Sequence, residues 1–134
     1  MSSDVNIKTI HHVYDAFGRA DVAAILEVLS DDVDWASEAV SSAVPWYGVR
    51  HGKDGVAQFF AALDSTMQVD EFTPLSFAAN DSDVFSVVRF RATSRATGKT
   101  AVMDLHHFFT FRDGKIVYYR GTEDTAQTLE VLSN

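Results

Sequence analysis

Apolar residues recur at helical spacing through the first half of the chain and at strand spacing through the second. Ile10, Val13, Tyr14 and Phe17 stand at i, i+3, i+4 and i+7, one face of a helix, and Gly18 ends the run. Asp21 is placed to cap a short second helix whose stripe is Val22, Ile25, Leu26 and Leu29, broken by Ser30-Asp31-Asp32. Val33, Trp35 and Ser37 then alternate with Asp34, Ala36 and Glu38, the period of a short strand that turns Trp35 inward. A loop with Pro45, Gly48 and Gly52 leads to a third helix, with Gly55 in its first turn. Its stripe of Val56, Phe59, Phe60, Leu63 and Met67 is the most amphipathic pattern in the chain.

After residue 68 the texture becomes β-branched and aromatic. Turn signals at Asn80-Asp81-Ser82-Asp83, Thr97-Gly98 and Asp113-Gly114 separate four predicted strands, roughly 70–79, 84–96, 99–111 and 115–123. Asp124 caps a last short helix, with Gln127 in capping-box position and Leu129 and Leu132 as anchors. Helices first and a long meander afterwards predict an α+β fold, a curved antiparallel sheet with helices on one face. Strands this long twist and coil, so the sheet is expected to wrap around the third helix into a barrel-like cone. The hollow of such a cone is either plugged by side chains or kept as a ligand pocket.

Composition narrows the partners. The chain of 134 residues is 46% hydrophobic and 22% charged, which fits one stable core. Its formal charge of −8 repels a phosphate backbone and an anionic membrane surface alike, so neither nucleic acid nor membrane is expected as a partner. No cysteine is present, so there is no disulfide framework and no thiolate zinc site. The start, Met1-Ser-Ser-Asp-Val-Asn, lacks the pattern of a signal peptide, and no run of about 18 apolar residues occurs. A soluble cytoplasmic protein is expected.

Five segments carry a resemblance: Tyr14-Asp-Ala-Phe-Gly-Arg-Ala-Asp21, Leu29-Ser-Asp-Asp-Val-Asp-Trp35, Pro45-Trp-Tyr-Gly48, Gly52-Lys-Asp-Gly-Val-Ala-Gln-Phe-Phe60 and His107-Phe-Phe-Thr-Phe-Arg-Asp-Gly-Lys-Ile116. Together, in this order and spacing, they resemble the SnoaL-like family, related to ketosteroid isomerase within the nuclear transport factor 2-like superfamily. The resemblance implies a single SnoaL-like domain over 1–134 with a conical fold, shared by isomerases, polyketide cyclases, epoxide hydrolases, dehydratases and non-catalytic members. It also implies a homodimer paired through the outer face of the sheet. By the same similarity the isomerase's donor tyrosine falls on Tyr14, its base on Ser37 and its second donor on His107. A serine is no base unaided at neutral pH, so true ketosteroid isomerisation does not fit.

His107 is the first choice for acid/base work, because imidazole titrates near neutrality. On the inner face it would alternate with Leu105, Phe109 and Phe111. The hairpin at Asp113-Gly114 offers two registers. A three-residue loop sets Tyr119 opposite His107, with Glu123 on the same face; a two-residue loop sets Arg120 there. In the first, preferred register Glu123 can orient His107 or bind a polar end of the ligand. A two-residue turn at Thr97-Gly98 would set Arg91 opposite Asp104 and Arg89 opposite His106, as charge compensation on the outer face. His106-His107 and His11-His12 fail the spacing tests for a shared metal, and no metal motif or cofactor is expected. Trp35, Trp46, Phe59, Phe60, Phe109 and Tyr119, with Ser37, would line an apolar, flat-walled cavity for rings.

Three functions remain open. The first is a cofactor-independent acid/base enzyme (isomerase, cyclase, hydratase or dehydratase) acting on a small cyclic or polyketide-like apolar molecule, with His107, Tyr14 and Glu123 as its catalytic set. The second is a binding protein with the same pocket and no turnover. The third is a dimerisation module whose cone is plugged by its own aromatics.

Overall fold

The computed structural model describes residues 3–134; Met1 and Ser2, where the N-terminal stretch considered above begins, lie outside the described residues. Two helices come first, α1 (Ser3–Gly18) and α2 (Val22–Glu27). α1 buries Ile10, Val13 and Tyr14 of the predicted stripe, with Phe17 half-buried, and Ala16 beside them. The chain turns out of α1 through Ala20 at φ +57°, and the Asp21 carboxylate then accepts the Ala24 N–H at 3.1 Å, capping α2. Leu29 does not extend α2. The Val28 N–H closes that helix onto Ile25 and Leu26, and Leu29 becomes the buried first residue of β1 (Leu29–Ser37).

The segment Gly48–His51, read from sequence as loop, is β2, and it pairs antiparallel with β1 through Ser37 opposite Gly48 and Trp35 opposite Arg50. α3 (Gly52–Thr66) buries Val56, Phe59 and Phe60. Met67, placed by periodicity at the end of that helix, instead opens β3 (Met67–Ala79) and is buried there, because the stripe stays in phase with the core as the chain becomes extended. The meander continues through β4 (Asp83–Ser94), β5 (Thr100–Arg112) and β6 (Lys115–Thr122) to α4 (Thr125–Leu132). Asp124 caps α4 through the Gln127 N–H. The Gln127 side chain forgoes the reciprocal capping bond and pairs with both the N–H and the C=O of Val102, tying α4 to β5.

The six strands make one sheet in the order β2-β1-β6-β5-β4-β3. It is mixed rather than wholly antiparallel. β1 runs parallel to β6, with α3 and the meander supplying the long crossover a parallel pair requires. The sheet is curved and does not close on itself. Bulges at Val69/Glu71 and Pro74/Ser76 bend β3, whose place at the sheet edge is where a proline is tolerated in a strand. α1 and α3 lie on the concave face, and the core forms between them and the sheet. No described helix is long and apolar enough to cross a membrane.

Both hairpin registers differ from expectation. Between β4 and β5 the loop is longer than a Thr97-Gly98 turn, with the Ser94 N–H bonded to Lys99 O, so Arg89, not Arg91, faces Asp104, and Val87 faces His106. Between β5 and β6, Asp113 and Gly114 make a two-residue turn with φ of +53° and +78°, and Arg112 pairs with Lys115. A bulge between Thr110 and Phe111 then shifts the ladder by one residue. His107 therefore lies opposite Gly121, and neither Tyr119 nor Arg120 faces it directly. A shift of one residue restores the parity of the preferred reading, which is why Tyr119 and Glu123 still share the inner side with His107.

Candidate functional site

Alternation along β4 and β5 decides what reaches the concave side. Ser86 faces His107 across the ladder, and both are buried, at 4% and 9% exposure. From α1, Tyr14 reaches between them: its Oη lies 2.5 Å from Ser86 Oγ and 2.7 Å from His107 Nδ1. One order of donors leaves its free hydrogen on the ring that lines the cavity. Ser86 donates to Tyr14, Tyr14 donates to Nδ1, and the imidazole keeps its remaining hydrogen on Nε2. The reverse order puts the free hydrogen on Ser86, which does not line the cavity.

Burial governs the protonation of this chain. It holds the His107 imidazole down to about 3, with His106 adding a smaller like-charge effect, so the ring is neutral at pH 7. Burial likewise pushes the Tyr14 phenol up, only partly offset by the Ser86 bond. Tyr119 is raised well above 10 by burial, with Tyr14 and Glu123 adding to it. All of these groups are uncharged in the folded protein.

The hollow beside them has a volume of about 70 Å³. That is small beside the roughly 300–1,000 Å³ of common ligand pockets, so its aromatic walls come close to filling the cone. Every predicted wall residue lines it: Trp35, Ser37, Trp46, Phe59, Phe60, Phe109 and Tyr119. Trp35 packs on Tyr119 with ring centroids 4.1 Å apart, and its Nε1 is buried without a hydrogen-bond partner. A second, outer hollow of about 590 Å³ shares Phe17, Phe60, Leu63 and Phe72 with the first. Those four side chains are a partition between the interior and the groove along α3 and β3.

Glu123 lines the same cavity as His107 but is bonded elsewhere. Its carboxylate accepts hydrogen bonds from Thr128 Oγ1 at 2.6 Å, Tyr47 Oη at 2.8 Å and Trp46 Nε1 at 3.3 Å, and it makes none to His107. It is the sole carboxylate lining the cavity among the described residues. The structure thus bonds Tyr14 to His107 and places Glu123 on the same cavity without a bond to either. Sequence reasoning missed Ser86, although its place between Val84 and Val88 on an inward-facing stripe is itself a signal. It also missed Tyr47 and Thr128, which no local pattern points to. No group of three or more metal-ligating side chains occurs among the described residues.

Comparison with known proteins joins this geometry to a family. The model of the SnoaL-like domain matches residues 10–119. The chain belongs to the SnoaL-like family. Among solved structures, an NTF2-like protein of unknown function from Burkholderia pseudomallei K96243 superposes with a TM-score of 0.90 at 25% identity, covering 100% of both chains. TerC, co-crystallised with polyporic acid, matches with a TM-score of 0.85 at 26% identity over 97% of this chain and 99% of its own. A candidate polyketide cyclase from Xanthomonas campestris pv. campestris shares the fold, with a TM-score of 0.81 at 20% identity over 99% and 100% of the two chains. No curated protein sequence matches the chain. The SnoaL-like assignment accounts for the curved sheet around α3, while the chemistry rests on this chain's own residues.

Proposed function

We propose that this SnoaL-like protein binds a small, apolar, cyclic or polyketide-like carbonyl compound inside the cone. There it promotes isomerisation, ring closure, hydration or dehydration without a cofactor. The observation that carries the reading is the Ser86–Tyr14–His107 chain, whose free end, Nε2–H, is the ring nitrogen left for the cavity. A neutral imidazole is a poor proton acceptor but a good donor to an oxygen that gains negative charge, as in an enolate. His107 then polarises the carbonyl, Tyr14 holds the imidazole in its tautomer, and the Glu123 carboxylate, which lines the same cavity, takes the α-proton as the enolate forms. Support from relatives is of two kinds: TerC was crystallised with an organic acid, and structures of the same fold are named as candidate polyketide cyclases.

The test is exchange of the α-protons of a one-ring ketone such as cyclopentanone in D₂O, followed by NMR. The expected result is acceleration by the native protein, lost in His107→Ala and reduced in Tyr14→Phe. Absence of acceleration removes the catalytic reading. The alternative, binding without turnover, is favoured by one observation: no carboxylate is hydrogen-bonded to the imidazole, Ser37 stands at the base position, and Glu123 is held by its three donors. A copurifying ring compound without any exchange activity would select it.

The reading extends to assembly. The outer face of the sheet carries Phe85, Phe108 and Tyr118 in ring contact, with Arg120 over the Tyr118 ring at 4.3 Å, and a second copy in the cytoplasm would pair there. Light scattering of Phe108→Glu is expected to give half the mass of the native protein; an unchanged mass would rule this face out.

A further inference from the structure

Tyr119 was read from sequence as an apolar wall of the cavity, yet its hydroxyl has a different setting. The residue is 5% exposed, it lines the cavity, and its hydroxyl makes no hydrogen bond to any described residue. Buried phenols ordinarily find a hydrogen-bond partner, and an unpaired one at a cavity wall is free to bond a ligand. The backbone explains how the hydroxyl is held. A Cβ built on Gly121 would lie 2.2 Å from Tyr119 Oη and 3.3 Å from His107 Cδ2. The phenol therefore folds back over its own strand into the space that a side chain at 121 would occupy, beside the Nε2-bearing edge of the imidazole. The two rings are 5.3 Å apart at their centroids and inclined by 71°.

We propose that Tyr119 is a second catalytic donor: its O–H and the His107 Nε2–H converge on one ligand oxygen, and Gly121 is the residue that makes room for the pair. This assignment rests on the donor role given to His107 above. Two donors suit an oxygen that becomes an oxyanion, since each neutral hydrogen bond strengthens as charge develops. Burial keeps the phenol protonated and able to donate. Tyr14 cannot take this part, because its hydroxyl is committed to Ser86 and to Nδ1.

The probe is 4-nitrophenol, whose bound phenolate is read by its visible absorbance across a pH series, with nitrobenzene as the uncharged shape control. The native protein is expected to favour the phenolate over the neutral phenol. Tyr119→Phe loses about tenfold of that preference or more while its affinity for nitrobenzene is unchanged. Gly121→Ala, which displaces the hydroxyl but retains it in the chain, shows the same loss, with thermal unfolding used to confirm a folded protein. Full phenolate preference in Tyr119→Phe, together with its loss in His107→Ala, would overturn the role of Tyr119 and leave that of His107 standing. No phenolate preference in the native protein would overturn both.

Discussion

His106 and His107 are adjacent in the chain and lie in different media. His106 points out of the sheet, exposed and opposite Val87, while His107 points into the cone, opposite Ser86 and Gly121 and buried among aromatic rings. The same alternation separates Phe108 from Phe109, Arg89 from Phe90 and Tyr118 from Tyr119. On the outside, charges meet in water: Arg89 Nε lies 2.9 Å from Asp104, with both about half exposed, a pair worth at most about 1 kcal/mol. On the inside, three neutral polar groups share hydrogens with no solvent to replace a lost partner. Residue type therefore says little here. The face decides whether an imidazole is a solvated surface group or a fixed dipole.

The contrast is broken most severely by emptying the inner face. Phe109→Ala, at a residue 1% exposed, is expected to lose about 3–5 kcal/mol of unfolding free energy by urea titration, against under about 1 kcal/mol for Phe108→Ala on the same strand. Comparable losses would mean that the two faces are equally packed.

Acid is the next lever. The unfolded chain protonates His107 near pH 6.5, whereas the folded chain does so only near 3. Below 6.5 the unfolded state thus binds more protons, so this group's contribution is present above 6.5 and is lost as pH falls toward 3. On the order of 3 kcal/mol disappears by pH 4 from this residue alone. Urea titrations of the native protein and His107→Gln at pH 7 and pH 4 check it: the difference between the two proteins shrinks on acidification. A constant difference would show that the imidazole titrates alike in the folded and unfolded chain.

Smaller effects sharpen the comparison. Tyr14→Phe removes the hydroxyl on which Ser86 and His107 depend and is expected to cost about 1–3 kcal/mol. His106→Ala or Asp104→Ala, measured in the same way, stays within about 1 kcal/mol. The partition shared by the two hollows gives a last test. Leu63→Ala joins the interior to the outer groove and is expected to raise affinity for two-ring probes such as naphthalene, while leaving benzene binding nearly unchanged. Equal gains for both probes would show that the partition does not limit ligand size.

Much of this was legible along the chain. The helical stripes of α1 and α3, the Asp21 and Asp124 caps and the inward alternation of Trp35, Phe109 and Tyr119 follow from local periodicity, and all appear in the fold. Less legible were the strand pairings. The bulge near Phe111 sets His107 against Gly121, and nothing within the hairpin itself signals one extra residue; it is fixed by the twist the sheet needs to curve around α3. Glu123 shares the cavity side with His107, and its hydrogen-bond partners are the part no local pattern shows. Tyr47 and Thr128, 76 and five residues away in sequence, claim its carboxylate.

Periodicity is a property of neighbours along the chain, so the amino-acid order by itself determined which residues turn inward, and hence the α+β class and an aromatic interior holding Tyr14 and His107. Contacts between distant segments decided the rest: the parallel β1–β6 pair, the mixed sheet, the meeting of Ser86, Tyr14 and His107, and the small volume left beside them. These depend on ångström-scale register and packing, and one residue of slip along a strand is enough to exchange the faces.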